Sequence, residues 1–133
     1  NACFGDKLVV SVPNIKKFRR AKYNYSHLCF GASIRALTNL LVNKGYIFLG
    51  TNLFRTNAFF VLESLKDKIN LDLSNVNQLE RHVDSYIRES RDTKGMLNYV
   101  AGKNRLKKIE NCEVIDLSNP EKKLVKLKDI FCV

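Results

Sequence analysis

Residues 31–50 read Gly31-Ala-Ser-Ile-Arg-Ala-Leu-Thr-Asn-Leu-Leu-Val-Asn-Lys-Gly45-Tyr-Ile-Phe-Leu-Gly50, and residues 57–61 read Asn57-Ala-Phe-Phe-Val61. Apolar residues recur at helical spacing in the first part of this stretch, at Ile34, Leu37, Leu40 and Leu41. This spacing predicts an amphipathic helix over residues 33–44. Gly45 follows it and suits the left-handed conformation that ends many helices. The apolar residues beyond Gly45 predict two short strands, over 46–50 and 58–62.

The link between these two strands is too short for a parallel crossover, so neighbouring strands joined this way must run antiparallel. Both strands are apolar at consecutive positions. Consecutive apolar positions are typical of a sheet that is covered on both faces. The helix and the hairpin therefore predict the last unit of an α/β sheet.

Weaker signals continue on both sides of this unit. A β-branched run over residues 8–12 predicts a strand ending at Pro13, and residues 14–25 predict a long loop with a short helical turn. Further along, the patterns predict a helix over 74–89, a strand over 96–100, a basic helix over 104–109, and strands over 114–117 and 124–127.

Composition bounds the protein class. The chain has 133 residues, 45% of them hydrophobic, and a formal net charge of +10, which fits one globular domain with anionic partners. No apolar run approaches the roughly 20 residues that span a bilayer. We therefore expect a cytoplasmic protein without a membrane segment. The first residue is Asn1 rather than Met, which predicts a fragment of a longer chain.

The cysteines give no sign of a metal centre. Cys3, Cys29, Cys112 and Cys132 are irregularly spaced and include no Cys-x-x-Cys pair, so we predict no metal site. Without secretory context, reduced thiols are expected. Cys29 lies between Leu28 and Phe30 and is predicted to be a small buried hydrophobe. No catalytic residue can be named from the sequence.

A basic and aromatic segment precedes the helix. Its cations are Lys16, Lys17, Arg19, Arg20 and Lys22, and its aromatic residues are Phe18, Tyr23 and Tyr25. Cations that neutralise phosphates beside rings that stack on bases are the combination used by single-strand binders. The alternative is a solvated lysine-rich loop whose rings pack on the sheet, and charge alone favours this alternative.

Several motifs together resemble a known family. They are Phe30-Gly-Ala-Ser33, Lys44-Gly-Tyr46, Leu49-Gly50 and Asn57-Ala-Phe-Phe-Val61, with Asn1-Ala-Cys-Phe-Gly5, Glu89–Gly95 and Gly102–Ile109 as further similarities. The combination resembles the C-terminal half of bacterial class I S-adenosylmethionine-dependent methyltransferase-like proteins. The resemblance implies a Rossmann-like α/β sheet, of which residues 1–66 form the C-terminal part. Residues 67–133 would then form a helical and short-strand α+β tail packed on it.

The resemblance also implies a function and its limits. Asn1, Phe30, Gly31, Ser33 and Asn57 match the family pattern and would lie near the ligand-binding edge of the sheet. The glycine-rich turn and the acidic ribose-binding residue of such folds are missing. The chain alone is thus expected to bind no cofactor. S-adenosylmethionine would bind to a full-length parent protein, and the chain would pair with the N-terminal half of that parent. The alternatives are a small basic module that binds nucleic acid or another polyanion, and a homo-oligomerising domain.

Overall fold

The computed structural model describes residues 4–53, 55–70, 72, 74 and 88–131. The strands within this part are β1 (Val10–Ser11), β2 (Tyr46–Thr51), β3 (Ala58–Leu62), β4 (Arg88–Arg91), β5 (Leu97–Val100), β6 (Glu113–Asp116) and β7 (Leu124–Lys126). The α-helices are α1 (Arg20–Tyr23), α2 (Ile34–Val42) and α3 (Lys103–Ile109), and 3-10 helices cover Glu63–Lys68 and Leu127–Asp129.

The described strands form three small sheets in which neighbouring strands run antiparallel. One sheet has the order β1-β6-β7, and the other two are the pairs β2-β3 and β4-β5. The predicted Rossmann-like α/β sheet is therefore wrong. A parallel sheet needs crossover connections that usually carry a helix. Here α2 leads into β2, whose partner among the described strands is the next one along the chain, β3.

The consecutive apolar positions of β2 and β3 explain this error. Phe48 is fully buried, but Phe59 is 51% exposed and Leu62 is 38% exposed. One face of the hairpin thus packs towards α2. The described residues cover the opposite face only in part. The pattern that we interpreted as a doubly covered sheet belongs instead to a two-stranded hairpin covered mainly on one side.

The main hydrophobic core combines the two ends of the described chain. Its buried members are Phe4, Val10, Leu28, Cys29, Ile109, Cys112, Val114 and Leu127. Antiparallel pairing of β1 with β6 places Val10 opposite Asp116 and Ser11 opposite Ile115. The core therefore joins residues on both sides of position 66, where the sequence predicted a division between the two parts.

A smaller cluster fixes the hairpin to α2. It consists of Ile34 and Phe48, with Ala58 and Phe60 packed against them. The rings of Phe48 and Phe60 lie 5.2 Å apart across the hairpin, a distance at which aromatic pairs attract. This cluster gives the unit 34–62 its own apolar contacts.

Ser33 ties α2 to β1. Its Oγ accepts hydrogen bonds from the backbone N–H of Ala36, at 3.1 Å, and of Val10, at 3.2 Å. Its own N–H donates to the Val10 carbonyl at 2.8 Å. One fully buried side chain thus caps the helix and satisfies a donor of the first strand.

Several local predictions are confirmed. The helix predicted over 33–44 is α2, Gly45 follows it with a φ of 81°, and the hairpin strands pair antiparallel as the short link required. The short turn in residues 14–25 is α1, and the basic helix and the strands near 8–12, 96–100, 114–117 and 124–127 are present with shifted ends.

The helix predicted over 74–89 lies mainly outside the described residues. Its last two residues, Arg88 and Glu89, belong to β4 and pair with Val100 and Tyr99, so that end of the prediction is wrong. Among the described helices, none has the length and apolar character needed to cross a membrane.

Replacing Ser33 with alanine removes a helix cap and leaves the Val10 N–H without this acceptor. We expect Ser33→Ala to lower the free energy of unfolding by about 2 kcal/mol, measured by urea denaturation. The control is Ser118→Ala, whose exposed hydroxyl donates to Asp116 at 2.6 Å and whose removal should cost less than about 0.5 kcal/mol. Equal effects of the two substitutions would contradict the role given to Ser33.

Candidate functional site

A cavity of about 510 Å³ opens where the turn after α1 meets α3, β6 and β7. Its lining residues are Tyr23, Asn24, Tyr25, Lys107, Lys108, Glu110, Asn111, Cys112, Glu113 and Lys126. The lining therefore mixes three lysines with two carboxylates, two amides and two phenols. Such a set offers hydrogen-bond donors and acceptors to a polar ligand.

The turn on one side of the cavity is held by its own hydrogen bonds. The side chain of Asn24 accepts from the Ser26 N–H at 2.9 Å, and the Asn24 carbonyl accepts from the His27 N–H at 3.0 Å. Ser26 is fully buried, and its carbonyl accepts from the Arg91 N–H at 3.2 Å. These bonds fix the backbone from which Tyr23 and Tyr25 project.

The opposite side is equally constrained. The N–H of Cys112 donates to the Ile109 carbonyl at 2.9 Å, and the Cys112 carbonyl accepts from the Leu127 N–H at 2.9 Å. The carbonyl of Glu110 accepts from the Lys128 N–H at 2.8 Å. The end of α3 is thus bonded to the chain that follows β7, and this brings residues 107–113 together with Lys126.

Tyr23 connects the two sides. Its hydroxyl donates to the Glu113 carbonyl at 2.5 Å. Burial, with smaller contributions from the charges of Cys29, Cys112 and Glu113, raises the pKa of Tyr23 to about 12. The phenol therefore stays protonated at neutral pH and serves as a fixed donor.

Two buried thiols belong to the core beside the cavity, and one of them, Cys112, lines it. Cys29 and Cys112 are both buried and unbridged. A hydrogen bond from the Cys29 thiol, and a smaller contribution from the Asn24 side chain, lower the pKa of Cys112, while burial opposes this shift. The prediction that Cys29 is buried is confirmed. Cys3 and Cys132, which share the expectation of reduced thiols, lie outside the described residues.

The basic segment of residues 16–22 borders this cavity through Tyr23. The Phe18 and Tyr23 rings are 5.2 Å apart, and the Arg20 guanidinium lies 5.6 Å from the centre of the Phe30 ring. All five predicted anion-binding residues are exposed: Lys16, Lys17, Arg19, Arg20 and Lys22. Of the predicted aromatic residues, Tyr25 keeps 43% of its surface exposed.

None of these five cations is paired with an acidic residue in the part of the chain that the structure describes. Ion pairs do occur elsewhere, between Arg91 and Glu89 at 3.2 Å and between Lys123 and Glu121 at 2.7 Å. The charge of the basic segment is therefore available to an external anion. Lys107, Lys108 and Lys126 add positive charge at the cavity.

The residues singled out by the methyltransferase resemblance are arranged differently. Phe30 packs under Arg20, Gly31 has a φ of 68° and its carbonyl accepts from the Val12 N–H, and Ser33 caps α2. Asn57 lies in the β2–β3 loop, where its backbone bonds with Asn52 at 3.1 Å. Asn1 lies outside the described residues. None of the four described residues lines the cavity.

The sequence did not point to Lys107, Lys108 or the carboxylates of Glu110 and Glu113 as site residues. The basic helix over 104–109 was visible, but its proximity to residues 23–25 depends on long-range pairing that has no local signal. In the described parts of the chain, no group of three or more His, Cys, Asp or Glu side chains is placed to hold a metal ion.

Comparison with protein-family models, with curated proteins and with solved structures finds no match. No family is assigned on that basis, and the site has to be interpreted from its own chemistry.

Tyr23 should be distinguishable in an alkaline titration. Its folded pKa of about 12 lies above the ordinary value of 10.0, so the stability it contributes is complete below pH 10 and is lost as the pH rises through 12. In tyrosinate absorbance, we expect an ionisation step near 12 that is absent from Tyr23→Phe and retained in the exposed control Tyr99→Phe. Identical titrations of the wild type and Tyr23→Phe would contradict the burial of this phenol.

Proposed function

We propose that this protein binds single-stranded nucleic acid, with phosphates on the basic segment of residues 16–22 and a base in the adjoining cavity. The observation that carries the proposal is the set of five exposed cations without a described acidic partner. They are connected through the Phe18–Tyr23 ring contact to a cavity that contains three more lysines.

Electrostatics supports a polyanionic partner. The net charge of +10 on 133 residues attracts anions over a distance of about 8 Å at physiological ionic strength. Each lysine or arginine that contacts a phosphate also releases condensed counterions, which favours binding at low salt. A surface with several such cations close together is suited to a chain of phosphates rather than to one isolated anion.

The composition of the cavity favours nucleic acid over other polyanions. Glu110 and Glu113 would repel a bare sulfate or phosphate, but carboxylates accept hydrogen bonds from the amino groups of bases. The amide of Asn111 offers both a donor and an acceptor, and the exposed ring of Tyr25 offers a stacking face. The cavity therefore suits a base, while the cations outside it suit the sugar-phosphate chain.

The methyltransferase-like function remains a prediction, as do an N-terminal partner, homo-oligomerisation and a cytoplasmic location. The Rossmann-like sheet that a class I methyltransferase requires is not the arrangement of the described strands. For this reason we place nucleic-acid binding first.

The first test neutralises the basic segment. One variant combines four substitutions, Lys16→Gln, Lys17→Gln, Arg19→Gln and Lys22→Gln. Arg20 is retained because it packs on Phe30. We expect the affinity for a labelled single-stranded oligonucleotide to fall at least tenfold. The slope of log affinity against log salt should shrink by about 0.7 for each phosphate that the variant no longer neutralises, measured by fluorescence anisotropy at several salt concentrations.

The matched control removes the same charge elsewhere. Lys44, Lys66, Lys68 and Lys94 are exposed and do not line the cavity, so their combined replacement with glutamine should weaken binding much less. If both variants lose affinity equally, the loss follows from the change in net charge, and this would contradict a localised site. Equal affinity of the wild type for heparin and for the oligonucleotide would contradict the preference for nucleic acid.

The stacking face is tested separately. Tyr25→Ala should weaken oligonucleotide binding by about 1–3 kcal/mol, the usual value of one base stacked on an aromatic ring. Tyr99→Ala is the control, because Tyr99 is 64% exposed but lies outside the cavity. If both variants bind like the wild type, no base stacks on Tyr25.

A further inference from the structure

We propose that Cys29 and Cys112 are a redox-active dithiol that hydrogen peroxide converts reversibly into an intramolecular disulfide, with Cys112 as the thiol that reacts first. The inference does not depend on nucleic-acid binding. It rests on the juxtaposition of two thiols in one buried cluster, only one of which lines the cavity.

The two thiols share one buried cluster. Cys29 and Cys112 belong to the same core cluster, and the pKa of Cys112 is lowered by the neighbouring Cys29 side chain acting as a hydrogen-bond donor. A disulfide needs the sulfurs to approach to about 2.05 Å, so the cross-link requires the two side chains to move towards each other within the cluster. Backbone hydrogen bonds hold the segments that carry them: the His27 N–H donates to the Asn24 carbonyl, and the Leu127 N–H donates to the Cys112 carbonyl.

The surroundings make the two thiols unequal. Cys112 is 7% exposed and lines the cavity, whereas Cys29 is 0% exposed and does not. The hydrogen bonds from Cys29 and Asn24 stabilise the Cys112 thiolate and lower its pKa. Since the thiolate is the reactive species and must meet the oxidant, Cys112 is the attacking group and Cys29 the resolving one.

The chemistry balances with hydrogen peroxide as the named oxidant. The Cys112 thiolate attacks one peroxide oxygen, the O–O bond breaks, and the departing hydroxide takes a proton to become water. Cys112 is now a sulfenic acid. The Cys29 sulfur then attacks the Cys112 sulfur, the S–O bond breaks, and a second water leaves with the thiol proton. Two thiols have lost two electrons to the peroxide, and a dithiol reductant reverses the step.

The alternative is a pair of inert core thiols, the ordinary role of buried cysteines. Burial of Cys29 alone would favour that alternative. The cavity argues against it, because it gives Cys112 a route to solvent that Cys29 lacks.

The test uses the full chain carrying Cys3→Ser and Cys132→Ser, which leaves the pair as its two thiols. The protein is treated with hydrogen peroxide, the excess peroxide is removed, and free thiols are alkylated under denaturing conditions. We expect a monomer that carries no alkyl group and is lighter by two hydrogens than the reduced, unalkylated protein. A non-reducing digest should contain the peptide linking Cys29 to Cys112, and dithiothreitol should restore two alkylatable thiols. The cross-linked form should also have a higher Tm than the reduced form.

Single variants test the order of events. Cys29→Ser should leave Cys112 as a sulfenic acid that dimedone traps, and Cys112→Ser should leave Cys29 unmodified. Circular dichroism checks that both variants fold. If either variant does not fold, the order is measured instead as alkylation rates of the two thiols in the folded protein that carries only Cys3→Ser and Cys132→Ser. Cys112 should then be alkylated before Cys29.

Three results would overturn the proposal. The first is two alkylatable thiols after peroxide treatment, and the second is a disulfide that forms only between chains. The third is faster alkylation of Cys29 than of Cys112 in the folded protein.

Discussion

Antiparallel pairing of β1 with β6 joins the two ends of the described chain. It places Val10 opposite Asp116 and Ser11 opposite Ile115, and the fully buried side chains of Val10 and Val114 belong to the same core. Ser33 then connects β1 to α2 through both its hydroxyl and its backbone. The pairing therefore links α2, through β1, to the strand that carries Glu113 at the cavity.

The cavity follows from this closure. Residues 23–25 come from the N-terminal part of the described chain and residues 107–113 from the C-terminal part, and the Tyr23 hydroxyl bonds them directly at Glu113. The same closure places Cys29 and Cys112 in one core cluster. The nucleic-acid proposal and the dithiol proposal thus use different groups, but both need the same long-range pairing.

The sequence predicted local structure better than global arrangement. The cap at Ser33 and the stop at Gly45 are short-range signals, and both are present. The helix also forms, but it buries Ile34, Ala36 and Thr38, whereas Leu37 and Leu40 of the predicted apolar face are exposed. The fold class was wrong because apolar runs such as Ala58–Leu62 do not reveal whether one face or both faces are covered. The exposure of the basic segment was readable from its charge. The position of residues 23–25 beside Lys107 was not, because strand partners distant in sequence leave no local pattern.

Residues 16–25 and 107–113 are proposed to act together as one binding surface. A residue-resolved amide NMR titration of the full chain with a short single-stranded oligonucleotide measures this at every position. We expect saturable chemical-shift changes, with one common dissociation constant, for the amides of both segments and of Lys126. The amide resonances of the β2–β3 hairpin should not shift. Shifts confined to residues 16–22, or spread evenly over the exposed lysines, would show that the two segments do not form one surface.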